Sequence, residues 1–157
     1  MEYWIYRQLP GEAEPVLIDI AEGTSYLDES LPVGGTATYM VRSAHIRDAL
    51  NSGYSNAVTG TAKMGKPLPA CYEGLVSDGP ALIWEPVEGA VTYKVLRATK
   101  KTDTLKYYTE ICADANGEDG FVDETAQKGK TYYYKVVAVS ASGVTTYSSY
   151  LKVTYKK

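Results

Sequence analysis

The 157-residue chain predicts an all-β protein, a sandwich of antiparallel sheets whose pattern is laid down twice in tandem. Three observations carry this. Gly129 to Ser140, GKTYYYKVVAVS, alternates with a period of two: Tyr132, Tyr134, Val136 and Ala138 fall on one side of an extended strand, and Thr131, Tyr133, Lys135 and Val137 on the other. A helix would scatter the first four around its axis, so the period selects a strand. Short strand-like runs follow one another with turn signals about every eight to twelve residues, the spacing of a two-sheet sandwich. The halves also repeat: EYWIYR matches TYKVLR at an offset of 90, YLDESLPVGGTATYMVRS matches FVDETAQKGKTYYYKVVA at 95, and YSNAV matches YSSYL at 93.

In the first half, Glu2 to Arg7 is an aromatic strand closed by a turn at Pro10-Gly11, and Val16 to Ile20 is a second strand. Tyr26-Leu27-Asp28 reads as a third short extended piece. Leu31 to Gly35 makes the corner into a Thr36–Ala44 strand. His45 to Gly53 reads as a single helical turn or a long loop, and Tyr54 to Thr59 as the last strand of this half. Thr61 to Pro69 is a linker stiffened by two prolines, so the units are expected at residues 1–63 and 64–157. In the second half the expected strands are Ala70–Leu75, Ala81–Trp84, Thr92–Ala98, Leu105–Cys112, Phe121–Asp123, the opening stretch and Tyr147–Tyr155.

Composition narrows the function classes. A hydrophobic share of 45% suffices for a core, and 15 Tyr against one Phe and two Trp suits pleated, half-buried surfaces. The net charge of −3 is well mixed, with no basic stripe to neutralise phosphates, which argues against nucleic acid as a partner. No run approaches the roughly 20 apolar residues of a membrane span, and no signal peptide opens the sequence. Met1 leads straight into strand-like sequence, which reads as a start inside a longer protein. Cys71 and Cys112 read as two partly buried thiols, since sequence alone cannot establish bridge geometry.

Leu82-x-Trp84, Pro86-Val87-Glu88-Gly89-Ala90 and Tyr93-x-Val95-x-Arg97 together resemble the B-to-C segment of fibronectin type III domains. Val122-Asp123, Gly129 and the series Tyr132-x-Tyr134-x-Val136-x-Ala138 look like that family's E-to-F segment, and Tyr147-Ser148-Ser149 resembles the serine pair opening its last strand. The resemblance covers about residues 66–157. It implies an immunoglobulin-like β-sandwich, with Trp84 as the core tryptophan and Tyr132 as the tyrosine-corner residue whose hydroxyl meets a backbone group. Tyr134 and Val136 complete the structural core. In the first half Ala37 stands at the Tyr132 position, and counterparts of residues 70–75 and 81–84 are missing. The first half is therefore expected to be a truncated module, running from the third strand to the last. Its inner face then needs a cover: another chain in a homodimer, a swapped hairpin, or the second module folding back.

Candidate sites yield little chemistry. Asp114 to Gly120 has alternating oxygen ligands like the opening of a calcium loop, but Asp119 stands where glycine is required and Thr125 where a bidentate carboxylate is. A polar hairpin loop is the better reading. Gly60 to Lys66 has phosphate-loop spacing, but Pro67 replaces the Ser or Thr and prevents the helix that should follow. His45 is the only histidine, neither cysteine has zinc spacing, and the Asp after the fifth strand of each repeat is explained by turn capping. No catalytic residue, metal or cofactor is implied. Trp4, Tyr133 and Tyr150 are expected to face outward and are the candidate surface contacts for a protein or a glycan; cross-strand tyrosine pairing is the simpler explanation.

The expected role is a non-catalytic spacer or interaction module of a larger surface or secreted protein, bacterial and extracellular as the resemblance implies, contacting other domains of its parent. The alternative is a carbohydrate-binding accessory module of a secreted glycan-degrading enzyme.

Overall fold

A computed structural model describes residues 2–45, 50–72, 78–117 and 120–156. The chain divides into two compact units, Met1–Lys63 and Met64–Lys157.

The first unit is one antiparallel sheet: β1 (Glu2–Gln8), β2 (Val16–Ala21), β3 (Thr36–His45), β4 (Leu50–Asn51) and β5 (Val58–Thr61), in the order β2-β1-β3-β4, with β5 also on β3. The β1–β2 hairpin turns at Leu9-Pro10-Gly11-Glu12. Proline presets the first central residue, Gly11 takes φ 91°, and the Glu12 N–H donates to the Leu9 carbonyl. Threonine pairs Thr36–Thr61 and Thr38–Thr59, each with hydroxyls 2.9 Å apart, lace β3 to β5.

Three expectations for this unit change. Tyr26-Leu27-Asp28 is no strand, because the neighbour that would pair with it is missing from the unit. His45 ends β3 and Leu50–Asn51 pairs back onto Ala44 and His45, a hairpin instead of a helical turn or loop; residues 46–49 of that stretch lie outside the described residues. The last strand starts at Val58, not Tyr54. Ser52 and Ser55 explain the delay. Their hydroxyls accept the Ser43 and Val41 amides at 2.9 and 3.0 Å, side chain standing in for the backbone acceptor of a regular ladder.

The second unit is a sandwich. One sheet is β10-β7-β6, built from β6 (Ala70–Tyr72), β7 (Ala81–Ile83) and β10 (Phe121–Val122). The other is β12-β11-β8-β9 with β13 also on β11, built from β8 (Ala90–Ala98), β9 (Thr109–Ala115), β11 (Thr131–Ser140), β12 (Thr145–Tyr147) and β13 (Leu151–Thr154). The core draws on both. Leu82 and Trp84 come from the smaller sheet and its exit, and Tyr93, Val95, Tyr134 and Val136 from the larger, all buried. The Trp84 and Tyr93 rings lie 5.5 Å apart.

Here too the boundaries move for stated reasons. Leu105–Tyr107 is a 3-10 turn and β9 begins at Thr109, because the Tyr108 hydroxyl donates back to the Thr102 carbonyl and folds the loop upon itself. Residues 73–77 of the expected Ala70–Leu75 strand and its turn lie outside the described residues. The final strand is broken between Tyr147 and Leu151 by Ser148, whose hydroxyl accepts the Val136 amide at 2.9 Å. Ser148 matches Ser55 in the repeat, and both do the same job. Nor is Thr61–Pro69 a free linker: Thr61 belongs to β5, Met64 and Pro67 are buried, and the Thr146 hydroxyl donates to the Gly65 carbonyl.

The outward side of β11 is not open either. Lys135 and Val137 are buried. Lys135 Nζ donates to the Ser148 carbonyl at 3.2 Å and lies 5.8 Å from the Tyr108 ring centre. The charged loop after β8 thus lies over this face.

Candidate functional site

Each unit carries one polar cluster of the same design. In the second, the Asp123 carboxylate accepts from Arg97 at 2.7 Å, Tyr134 at 2.7 Å, and the Thr125 hydroxyl and amide at 2.7 and 3.1 Å. In the first, Asp28 accepts from Arg7 at 2.9 Å, Tyr39 at 2.8 Å, and the Ser30 hydroxyl and amide at 2.7 and 3.0 Å. One carboxylate oxygen caps the turn and the other joins a central-strand arginine to a tyrosine of the next strand. Burial of Asp123 on its own opposes ionisation, but the hydrogen bonds from Thr125, Tyr134 and Arg97 outweigh it and hold the carboxyl below its ordinary range. Asp28 behaves likewise, burial being outweighed by Ser30, Arg7 and Tyr39. Burial, then the bond to the aspartate, raises both phenols, Tyr39 to about 12 and Tyr134 further. These groups are occupied by one another. They act as a latch between turn and sheet.

Sequence reasoning identified the capping aspartates and missed the arginine and tyrosine. The signal was present in the repeat: Arg7 matches Arg97 at the offset of 90, and Tyr39 matches Tyr134 at 95.

Beside the first latch lies a groove of about 550 Å³, lined among others by Tyr3, Ile5, Tyr26, Asp28, Tyr39 and Val41. By the repeat offsets these match Tyr93, Val95, Phe121, Asp123, Tyr134 and Val136, the inner face of the second unit. There Tyr134 and Val136 are 0% exposed beneath β6 and β7; Tyr39 and Val41 are only half-buried. Leu27, matching Val122 of β10, is 75% exposed.

The expected structural residues of the second unit lie inside it: Trp84, Tyr132, Tyr134 and Val136 are all buried. The Tyr132 hydroxyl accepts the Gln127 amide at 3.0 Å, and its ring lies 4.9 Å from the Arg97 guanidinium carbon. Of the candidate surface contacts, Tyr133 and Tyr150 come together, ring centres 5.6 Å apart and planes at 73°. Rings meeting edge to face offer an edge and a face, not one flat plane for a sugar. Lys101 lies 5.8 Å from the Tyr150 ring. Trp4 sits in the other unit, on the face opposite Ile5, half-buried with its indole nitrogen covered and no hydrogen-bond partner to it. Cys71 and Cys112 are half-buried thiols on β6 and β9. Glu118 and Asp119 of the calcium-like loop lie outside the described residues, and among those described no cluster of three or more His, Cys, Asp or Glu can hold a metal.

A three-stranded and a five-stranded antiparallel sheet, latched by buried Asp123 and closed over a tryptophan, define an immunoglobulin-like sandwich module. Residues 81–156, all of them in the second unit, match the family model described as fibronectin type III domain, SaeA third domain. A solved structure, of the chicken CNTN1 FN1–FN3 domains, is 15% identical with a TM-score of 0.46; the alignment takes in 99% of this chain and 56% of that one. No curated protein matches the chain. Among the described residues no helix is long and apolar enough to cross a membrane.

Proposed function

We propose that the chain is a non-catalytic spacing and interaction module of a larger secreted or surface-attached protein, working outside the cell. The observation that carries this reading is the use of the buried ionisable groups. In both units they lock a turn to a sheet, which is a mechanical task. The family match supports the same reading.

The test replaces residues 1–157 in the parent protein with a Gly/Ser chain of equal residue number, and separately with an unrelated tandem β-sandwich. A spacer predicts that the flanking domains lose their joint activity with the first and keep it with the second. Full activity with the flexible chain overturns the reading. Retention on any polysaccharide in affinity electrophoresis, lost in Tyr133→Ala/Tyr150→Ala, would replace it with glycan binding.

A further inference from the structure

We infer that the outer face of the first unit's sheet is a self-association surface, and that its partner is the same face of a second copy of this chain. The inference goes beyond the spacer reading and stands or falls separately from it.

The strand registers define the face. Tyr3, Ile5, Tyr39 and Val41 line the groove, so Trp4, Tyr6, Met40 and Arg42, which alternate with them, point the other way. Pairing carries β2 onto the same side: Ile20 stands opposite Trp4, and Leu17 opposite Tyr6. On β3, Arg42 stands opposite Trp4. The Tyr54 ring meets Tyr6 edge to face at 5.0 Å, and the Arg42 guanidinium lies 5.0 Å from the Tyr54 ring centre. Aromatic rings, Met and Arg are the side chains that interface centres favour. Leu17, Ile20 and Tyr54 remain 42–48% exposed. The face lies across the sheet from the groove, so filling the groove would leave it bare.

The sister unit closes the same face with its own residues. There Lys94 stands at the Trp4 position and Glu110, opposite Leu96, at the Leu17 position, the two joined at 3.0 Å. Lys135 and Val137 stand at the Met40 and Arg42 positions and are buried. The loop of residues 99–108 reaches over Lys135, with the Asp103 carboxylate 3.7 Å from its amine. The first unit's connection at this point is the tight turn of Leu9 to Glu12. One fold thus carries the face in two forms, one that covers itself and one that leaves aromatic and aliphatic side chains in water.

A second copy fits what is left. The side of a sheet is flat, and two such faces pack about 10 Å apart. The charges complement themselves. Glu2 lies on the same side as Arg42, opposite Ala44 in the next outward row, so a two-fold axis near Trp4 brings each Arg42 beside Glu2 of the other copy. Four strand widths of about 4.8 Å and some seven residues of about 3.3 Å make a face of roughly 450 Å² per copy, about 900 Å² in all, the size of a weak, reversible association.

The test is sedimentation equilibrium of the 157-residue protein from micromolar to millimolar concentration. A monomer–dimer equilibrium is expected, half of the chains being paired at roughly 10–100 μM. Ile20→Lys, which alters an exposed side chain, weakens pairing about tenfold or more. Glu2→Arg and Arg42→Glu each abolish it, and an equimolar mixture of the two restores it as a heterodimer, a rescue that damage to the fold could not produce. Three results overturn the inference. The first is a chain that stays monomeric at millimolar concentration, which would pass the face to a foreign partner. The second is a dimer that Ile20→Lys and both charge reversals leave intact, as pairing through the groove would. The third is pairing lost in folded single reversals and not recovered in their mixture.

Discussion

Asp123→Ala removes the acceptor of four hydrogen bonds at once, and its cost follows from what is left behind. Asp123 is 1% exposed and the Tyr134 ring that donates to it is 0% exposed. Without the carboxylate, the Arg97 guanidinium, 22% exposed, loses its ion pair, and the buried Tyr134 hydroxyl loses its acceptor. Breaking a buried pair from one side costs about 3–5 kcal/mol, within which the stranded hydroxyl is counted. A domain with a stability of roughly 5–10 kcal/mol then keeps about half of it. The assay is urea unfolding followed by Trp84 fluorescence in a Trp4→Phe background, so that only the second unit reports. With a slope of about 1–2 kcal/mol per molar, the midpoint should fall by roughly 2–3 M. A fall below about 0.5 M would refute the latch, as would an equal fall in the Trp84 signal for Asp28→Ala, which acts in the other unit.

Tyr132→Phe leaves the Gln127 amide without its acceptor; about 1–2 kcal/mol is expected, a melting drop of roughly 5–10 °C for the second unit by calorimetry. Gly79→Ala places a Cβ on the Asp123 carbonyl oxygen and should cost about 2 kcal/mol or more in urea unfolding, whereas Gly23→Ala meets nothing and should change stability by less than about 0.5 kcal/mol. Both aspartates have folded pKa values below the unfolded value near 3.8, so their contribution is complete above 3.8 and is lost as pH falls through the depressed folded value. Tyr39 is shifted the other way: its contribution is complete below 10 and is lost as pH rises towards about 12. Urea midpoints measured against pH should fall at both extremes, and the acid arm should shrink in Asp28→Asn and Asp123→Asn.

The two-sheet sandwich was readable wherever a strand keeps one wet and one dry face. Tyr132, Tyr134, Val136 and Ala138 gave away the central strand because all four are buried on one side of it, while Thr131 and Tyr133 between and beside them stay half-exposed. The opposite side of the same strand was harder to read: Lys135 reads as solvated, yet it is buried beneath a loop from elsewhere in the sequence. Local pattern cannot anticipate such a cover. Strand limits failed for a related reason. Ser55 and Ser148 end regular pairing by offering a hydroxyl in place of a backbone acceptor, and a serine inside an alternating run carries no visible mark of that role. Tyr26-Leu27-Asp28 has the composition of its paired counterpart but not its neighbour, so what composition permits, topology withholds. The polar latches were half legible: the turn-capping aspartate is a local signal, whereas Arg7 and Arg97 reach it across 21 and 26 residues of chain.

Met64 and Pro67 are buried, well before β6 begins at Ala70. Anyone trimming the protein to its sandwich alone should therefore cut at Lys63. A shorter fragment starting at β6 would discard two buried side chains, along with the carbonyl that Thr146 grips.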